Sequence, residues 1–216
     1  MDIKSACFKK RYLLLFLISL SVLFVSAYWL KIQMEIDFFH SFSLGSHFPF
    51  KYLRNDVIES AEPGILLEEN FDKEGIFPTW SRLWMREPGT VTKELSLDGV
   101  DGSSCLLIRN IGKGSWVYEH NKRVQVKKGD IFDFKGDVNI RGKKLLAYMC
   151  VVVFDKNKKA INWGLFKKTV NRTGVWITIE KQFNIPDDVI KYITLRLVGR
   201  GIGEFRFDNI TFRKIK

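Results

Sequence analysis

From Ile65 to Lys216 the sequence predicts an all-β, antiparallel two-sheet jelly-roll sandwich, preceded by one N-terminal transmembrane helix. Three observations carry that prediction. Residues Tyr12 to Leu30 run nineteen positions without a charge. Beyond Gly64 the chain breaks into short runs of alternating apolar and polar residues, with no helical period between them. Asp98-Gly99, Asp101-Gly102, Lys128-Gly129-Asp130 and Arg141-Gly142 punctuate those runs at the spacing of a sandwich rather than of a strand–helix repeat.

At 1.5 Å per helical residue the uncharged run is about 28 Å long, close to the hydrocarbon thickness of a bilayer. Lys4, Lys9, Lys10 and Arg11 precede it. The positive-inside rule therefore makes residues 1–11 a cytoplasmic tail and places all that follows the span outside the cytoplasm, periplasmic or extracellular. Residues 12–30 are read as a signal anchor in the cell membrane. A secretory signal cleaved at Val25-Ser26-Ala27 is the competing reading, and it exports the same domain. Residues 31–64 carry Phe38, Phe39, Phe42, Phe48, Phe50 and Tyr52 without a period, which predicts a juxtamembrane stalk. Glu62-Pro63-Gly64 closes it as a turn.

The predicted strands are 65–71, 80–86, 91–96, 104–110, 115–119, 122–127, 131–140, 144–154, 160–166, 175–184, 191–199 and 203–213. In IFDFKGDVNI, Phe132, Phe134, Val138 and Ile140 share one face. In YITLRLVG, Ile193, Leu195 and Leu197 face the core while Thr194 and Arg196 face away. The last strand breaks phase: Phe205 and Phe207 fall on one face, Ile210 and Phe212 on the other. One inserted residue near Asp208-Asn209 restores the alignment, which predicts a β-bulge.

Charge is unevenly distributed. Residues 65–216 hold 28 Lys and Arg against 18 Asp and Glu, so nearly the whole excess of +11 lies on the exported part. Export argues against nucleic acid as the partner and for anionic headgroups, acidic glycans or an envelope polymer. A soluble face of scattered lysines is the alternative. Cys105 and Cys150 are expected as buried free thiols, since spacing alone does not show that their side chains meet.

The order of several landmarks resembles a known family. Asn70-Phe71-Asp72 is followed by Trp80, Gly102 to Ile108 (GSSCLLI), Trp116, VQVKKGDIFDFKGDV, GVWITIEKQFNIP and EFRFDNITF. Together they cover nearly all of 65–216 and resemble the jelly-roll carbohydrate-binding modules of the galactose-binding-like superfamily, of the xylan- and β-glucan-binding type. The resemblance implies one structural calcium ion with Asp72 and Asp208 as ligands, and Asn70 or Glu69 less securely placed. Turn capping is the other role open to both aspartates. It also implies a sugar-stacking position at Trp116 and ligand-face positions at Thr194 and Arg196. Alternation adds Tyr118 and Tyr148 to the carbohydrate-binding set; core packing competes for each of these aromatics. Trp163, after the charged turn DKNKKAIN, is placed at the rim of a groove or as a cover for its hairpin. Some family members carry an acidic residue on the strand before the last, where this chain has Arg196 and Leu197.

The exported domain has a single histidine, His120, and neither an H-E-x-x-H motif nor a Cys/His cluster of zinc spacing. Glu119 and Glu180 remain as a carboxylate pair that nothing marks. The expected activity is therefore binding of a glycan, acidic in character, without catalysis. The alternatives are a protein–protein module for an envelope partner and an accessory subunit of a polysaccharide assembly.

Overall fold

A computed structural model describes residues 57–58, 62–72, 79–80 and 82–216. The chain divides into two units, 1–53 and 54–216, and the described residues belong to the second. The predicted tail and span, 1–11 and 12–30, and most of the predicted stalk lie outside them. Among the described residues no helix is long and apolar enough to cross a membrane.

The described strands are β1 (Val57–Ile58), β2 (Gly64–Glu69), β3 (Arg82–Met85), β4 (Val91–Ser96), β5 (Cys105–Asn110), β6 (Ser115–Glu119) and β7 (Arg123–Gln125). They continue with β8 (Ile131–Gly142), β9 (Leu146–Phe154), β10 (Ala160–Val170), β11 (Ile177–Asn184), β12 (Tyr192–Arg200) and β13 (Gly203–Lys214). Each predicted strand has its counterpart. The addition is β1, inside the stretch read as stalk, which pairs parallel to β7. That two-residue pairing is a parallel contact in otherwise antiparallel described sheets.

Two sheets form. In the seven-stranded sheet β12 is central, with β9 on one side and β6 and β7 on the other. β10 extends it beyond β9, and β3 and β1 beyond β6 and β7. The break between β6 and β7 is stitched by Thr194, whose hydroxyl lies 3.0 Å from the His120 carbonyl and 2.8 Å from that of Lys122. In the six-stranded sheet β13 is central, with β8 on one side and β5 and β2 sharing the other. β11 and β4 are its edges.

The core lies between the sheets and follows the alternation. Ala147, Met149, Val151, Val153, Ile193, Leu195 and Leu197 meet Phe132, Phe134, Val138, Ile140, Phe205, Phe207, Ile210 and Phe212. The bulge falls between Asp208 and Thr211, with Asn209 at φ 48°, and it turns both halves of β13 inward. At one end Phe166, Phe183, Phe132 and Phe212 stack with centroids 4.3 to 5.8 Å apart between successive rings. Each such pair contributes roughly 0.5–1.5 kcal/mol beyond its buried area. Cys105 and Cys150 are free and buried on different sheets.

Candidate functional site

Parity decides which side chains leave the core of the seven-stranded sheet. With Ile193, Leu195 and Leu197 inward, Tyr192, Thr194, Arg196 and Val198 point outward. With Ala147, Met149 and Val151 inward, Tyr148, Cys150, Val152 and Phe154 do the same. The strand registers then align one charged row across four strands: Arg82 on β3, Glu119 on β6, Arg196 on β12 and Cys150 on β9.

Glu119 holds that row together. Its Oε1 accepts from Arg82 Nη1 at 3.2 Å, and its Oε2 accepts from Arg196 Nε at 2.6 Å and pairs with Arg196 Nη2 as well. Both Glu119 and Arg196 are buried. Beyond Cys150 the row ends at Trp163, whose ring centroid is 4.6 Å from the Arg196 guanidinium and whose carbonyl accepts the Cys150 thiol at 3.9 Å. Burial beside this row pushes the Cys150 thiol up to about 12, so it is inert as a nucleophile. The neighbouring row is Trp84, Val117, Val198 and Tyr148. Phe154 and Tyr192 sit opposite each other at the far end, where Arg123 lies over the Phe154 ring. The result is a buried polar floor with half-buried rings of Trp84, Tyr148, Trp163 and Tyr192 around it.

Arg196 and Tyr148 therefore stand on the outer face, but Trp116 and Tyr118 do not. Both are fully buried, at 0% exposure, between the sheets. Trp116 packs edge-on against Phe205 and Phe207, with centroids at 5.1 and 6.1 Å. It also covers Gly199, where an added Cβ would run into the indole. Tyr118 is tilted against Trp80 at 5.8 Å, and its hydroxyl accepts from Lys93 Nζ at 2.6 Å. Desolvation raises the Tyr118 and Tyr148 phenols well above their ordinary range, so both stay neutral. Assignment of Trp116 and Tyr118 to a sugar-facing surface is corrected: they share one parity of β6, and Glu119, of the other parity, meets two arginines outside. The parity is settled by the registry of Arg82, Glu119 and Arg196 across three strands, which the β6 sequence alone does not carry. Arg82, Trp84 and Arg123 escaped notice because their strands are three or four residues long.

Glu119 and Glu180 do not form a pair, since β6 and β11 belong to different sheets. Asp72 and Asp208 approach one dipeptide, Ser103-Ser104. Asp72 Oδ1 accepts the Ser104 N–H at 3.1 Å. Asp208, at 0% exposure, accepts the Val100 N–H at 2.9 Å and lies 3.0 Å from the Ser103 hydroxyl with Oδ2, while Oδ1 accepts the Asn209 N–H at 2.7 Å. Burial raises its pKa and these donors oppose the rise. The groups converging on Asp208 are N–H and O–H donors, whereas calcium needs converging oxygen acceptors. Among the described residues no three His, Cys, Asp or Glu side chains are grouped for a metal. The described donor set thus fits a pinned turn over the six-stranded sheet better than a calcium centre.

No family model and no curated protein sequence matches the chain. Solved structures do match it in fold. The CBM22-1-GH10 modules of Clostridium thermocellum endo-1,4-β-D-xylanase 10B, complexed with xylohexaose, align at TM-score 0.50 with 14% identity. That alignment covers 71% of this chain and 29% of the xylanase chain. The enzymatically active domain of bacteriophage CBA120 tailspike protein 4 aligns at TM-score 0.53 with 12% identity, over 68% of this chain and 20% of its own. A xylan-binding domain from CBM22 aligns at TM-score 0.49 with 18% identity, over 70% and 96%. The chain spans less than a third of the first two. What the first two likenesses define is the class of fold, a two-sheet jelly roll.

Proposed function

We propose that the chain is a membrane-anchored, extracytoplasmic module that binds a polysaccharide without altering it. One observation carries the reading: a charged row set among half-buried aromatic rings on the outer face of the seven-stranded sheet. The C–H faces of pyranose rings stack on aromatic rings, and guanidinium and carboxylate groups fix sugar hydroxyls. Trp163 and Tyr148 are the stacking surfaces, and Arg196 with Glu119 the polar anchor. A buried ion pair is weak evidence of a stability role, because desolvation offsets its attraction; orienting a ligand is a better reason to keep it. The fold shared with part of a xylanase whose CBM22-1-GH10 modules were solved in complex with xylohexaose supports the reading. So does the uncharged run at 12–30, which would tether the module outside the cytoplasm. Both oxygens of Glu119 are occupied by arginines, and glycoside hydrolysis needs a second carboxylate across the bond, so binding alone is assigned.

Affinity electrophoresis of the full chain through xylan, β-glucan and acidic polysaccharides tests this. Retardation by at least one polymer is expected. Trp163→Ala should weaken it about tenfold, the upper end of an aromatic stacking contribution, with the melting temperature nearly unchanged. No retardation in any polymer overturns the reading.

A further inference from the structure

Arg123 carries a charge that the described residues around it offset only in part. Val124 enters the core, so Arg123 points to the outer face, where its guanidinium lies 3.9 Å from the centroid of the Phe154 ring. It is only 8% exposed. Among the described residues its one hydrogen bond is a 3.5 Å contact from Nη1 to the Lys158 carbonyl, and its Nε has no acceptor. A guanidinium presents five N–H donors and stays protonated, so removing it from water without a counter-charge is strongly disfavoured.

The carboxylates nearby are already engaged. Glu119 is held by Arg82 and Arg196. Asp155, at the adjoining turn, accepts the Asn157 and Lys159 amides. The remaining neighbours add positive charge: Lys158 Nζ is 5.9 Å from the Tyr192 ring, and Arg82 and Arg196 lie close enough to repel Arg123. Desolvation first, then Arg82 and Arg196, lowers the Arg123 pKa, and Glu119 opposes part of the fall. Among the described residues, three guanidiniums on this part of the face thus stand against one carboxylate, that of Glu119.

We infer that Arg123 is the anchor for an anionic group on the ligand, a uronic-acid carboxylate, so that the polysaccharide bound is an acidic one. This rests on the glycan-binding reading above and adds a subsite to it. The planar fork of Arg123 matches the two oxygens of a carboxylate, and the pair would form where water is scarce and such bonds are strong. Half-buried Tyr192 supplies apolar surface for the sugar ring that carries the carboxylate.

The test uses the full chain with glucuronoxylan and polygalacturonate, each beside the same polymer with its carboxyl groups reduced to alcohols. The unaltered chain is expected to bind at least one acidic polymer tenfold or more tightly than its reduced form. That preference should weaken as salt rises. Arg123→Gln should erase it while leaving binding to the reduced polymer intact, and Arg123→Lys should retain part of it. Equal binding of acidic and reduced forms by the unaltered chain overturns the Arg123 inference and leaves glycan binding standing, and it needs no variant. A preference that survives in Arg123→Gln overturns it as well. Binding to neither form, with or without capture by vesicles rich in phosphatidylglycerol, overturns both readings.

Discussion

His120 makes the stability of the domain depend on pH in one direction. The ring is buried between Trp80, edge-on at 5.2 Å, and the break after β6, and its Nδ1 accepts the Lys122 amide at 3.2 Å. Nε2 is buried without a partner. Burial, with Lys122 nearby adding positive charge, pushes its pKa from 6.5 down to about 4. Between those values the unfolded chain binds a proton that the folded chain does not, so stability is full above pH 6.5 and falls as pH drops toward 4. At 1.36 kcal/mol per pH unit the gap corresponds to about 3 kcal/mol. Urea titrations of the full chain from pH 7.5 to 4, followed by tryptophan fluorescence, measure it. The variant His120→Gln should lose the same amount less on acidification. Glu204, whose pKa is lowered chiefly by its hydrogen bond from Arg206, also weakens the fold in acid, but it does so in both proteins and cancels in the difference. Parallel stability curves for the two proteins would refute the reasoning.

Trp116→Ala should destabilise the domain by roughly 3–5 kcal/mol, the cost of emptying a large aromatic site in a core, without changing the affinity of the folded protein for any glycan. Chemical denaturation and affinity electrophoresis read the two effects separately. Calcium or a chelator should leave the melting temperature unchanged, because Asp208 spends its oxygens on Val100, Ser103 and Asn209. A rise of several degrees with calcium would instead make Asp72 and Asp208 ligands.

Most of the fold was legible because alternation and turn chemistry agree along the chain. The face of β8 that enters the core, the outward placement of Arg196 and the bulge in β13 all follow from period 2 alone. The candidate site was harder. All five residues of β6 are buried, so its alternation carries parity without saying which parity faces inward. The answer lies in the registry of Arg82, Glu119 and Arg196, which come from three strands far apart in sequence. β1 was illegible because two residues have no period. An aspartate at a bulge or just past a strand reads alike whether it serves a metal or a turn, and only the donors around Asp208 separate the two.

The extra residue in β13 lets one strand serve two neighbours. Gly203 to Phe207 pairs with β5 and Ile210 to Lys214 with β2, and both halves send their side chains the same way. Excising Asn209 would turn β13 into a regular strand on which Phe205, Phe207, Ile210 and Phe212 share one face by period 2 alone; what is lost is the kink that carries the Asn209 side chain to Asp137. A shortening of one codon there is thus absorbed by the strand's apolar pattern, whereas a single deletion inside β8, whose register carries no spare residue, turns part of its core face outward.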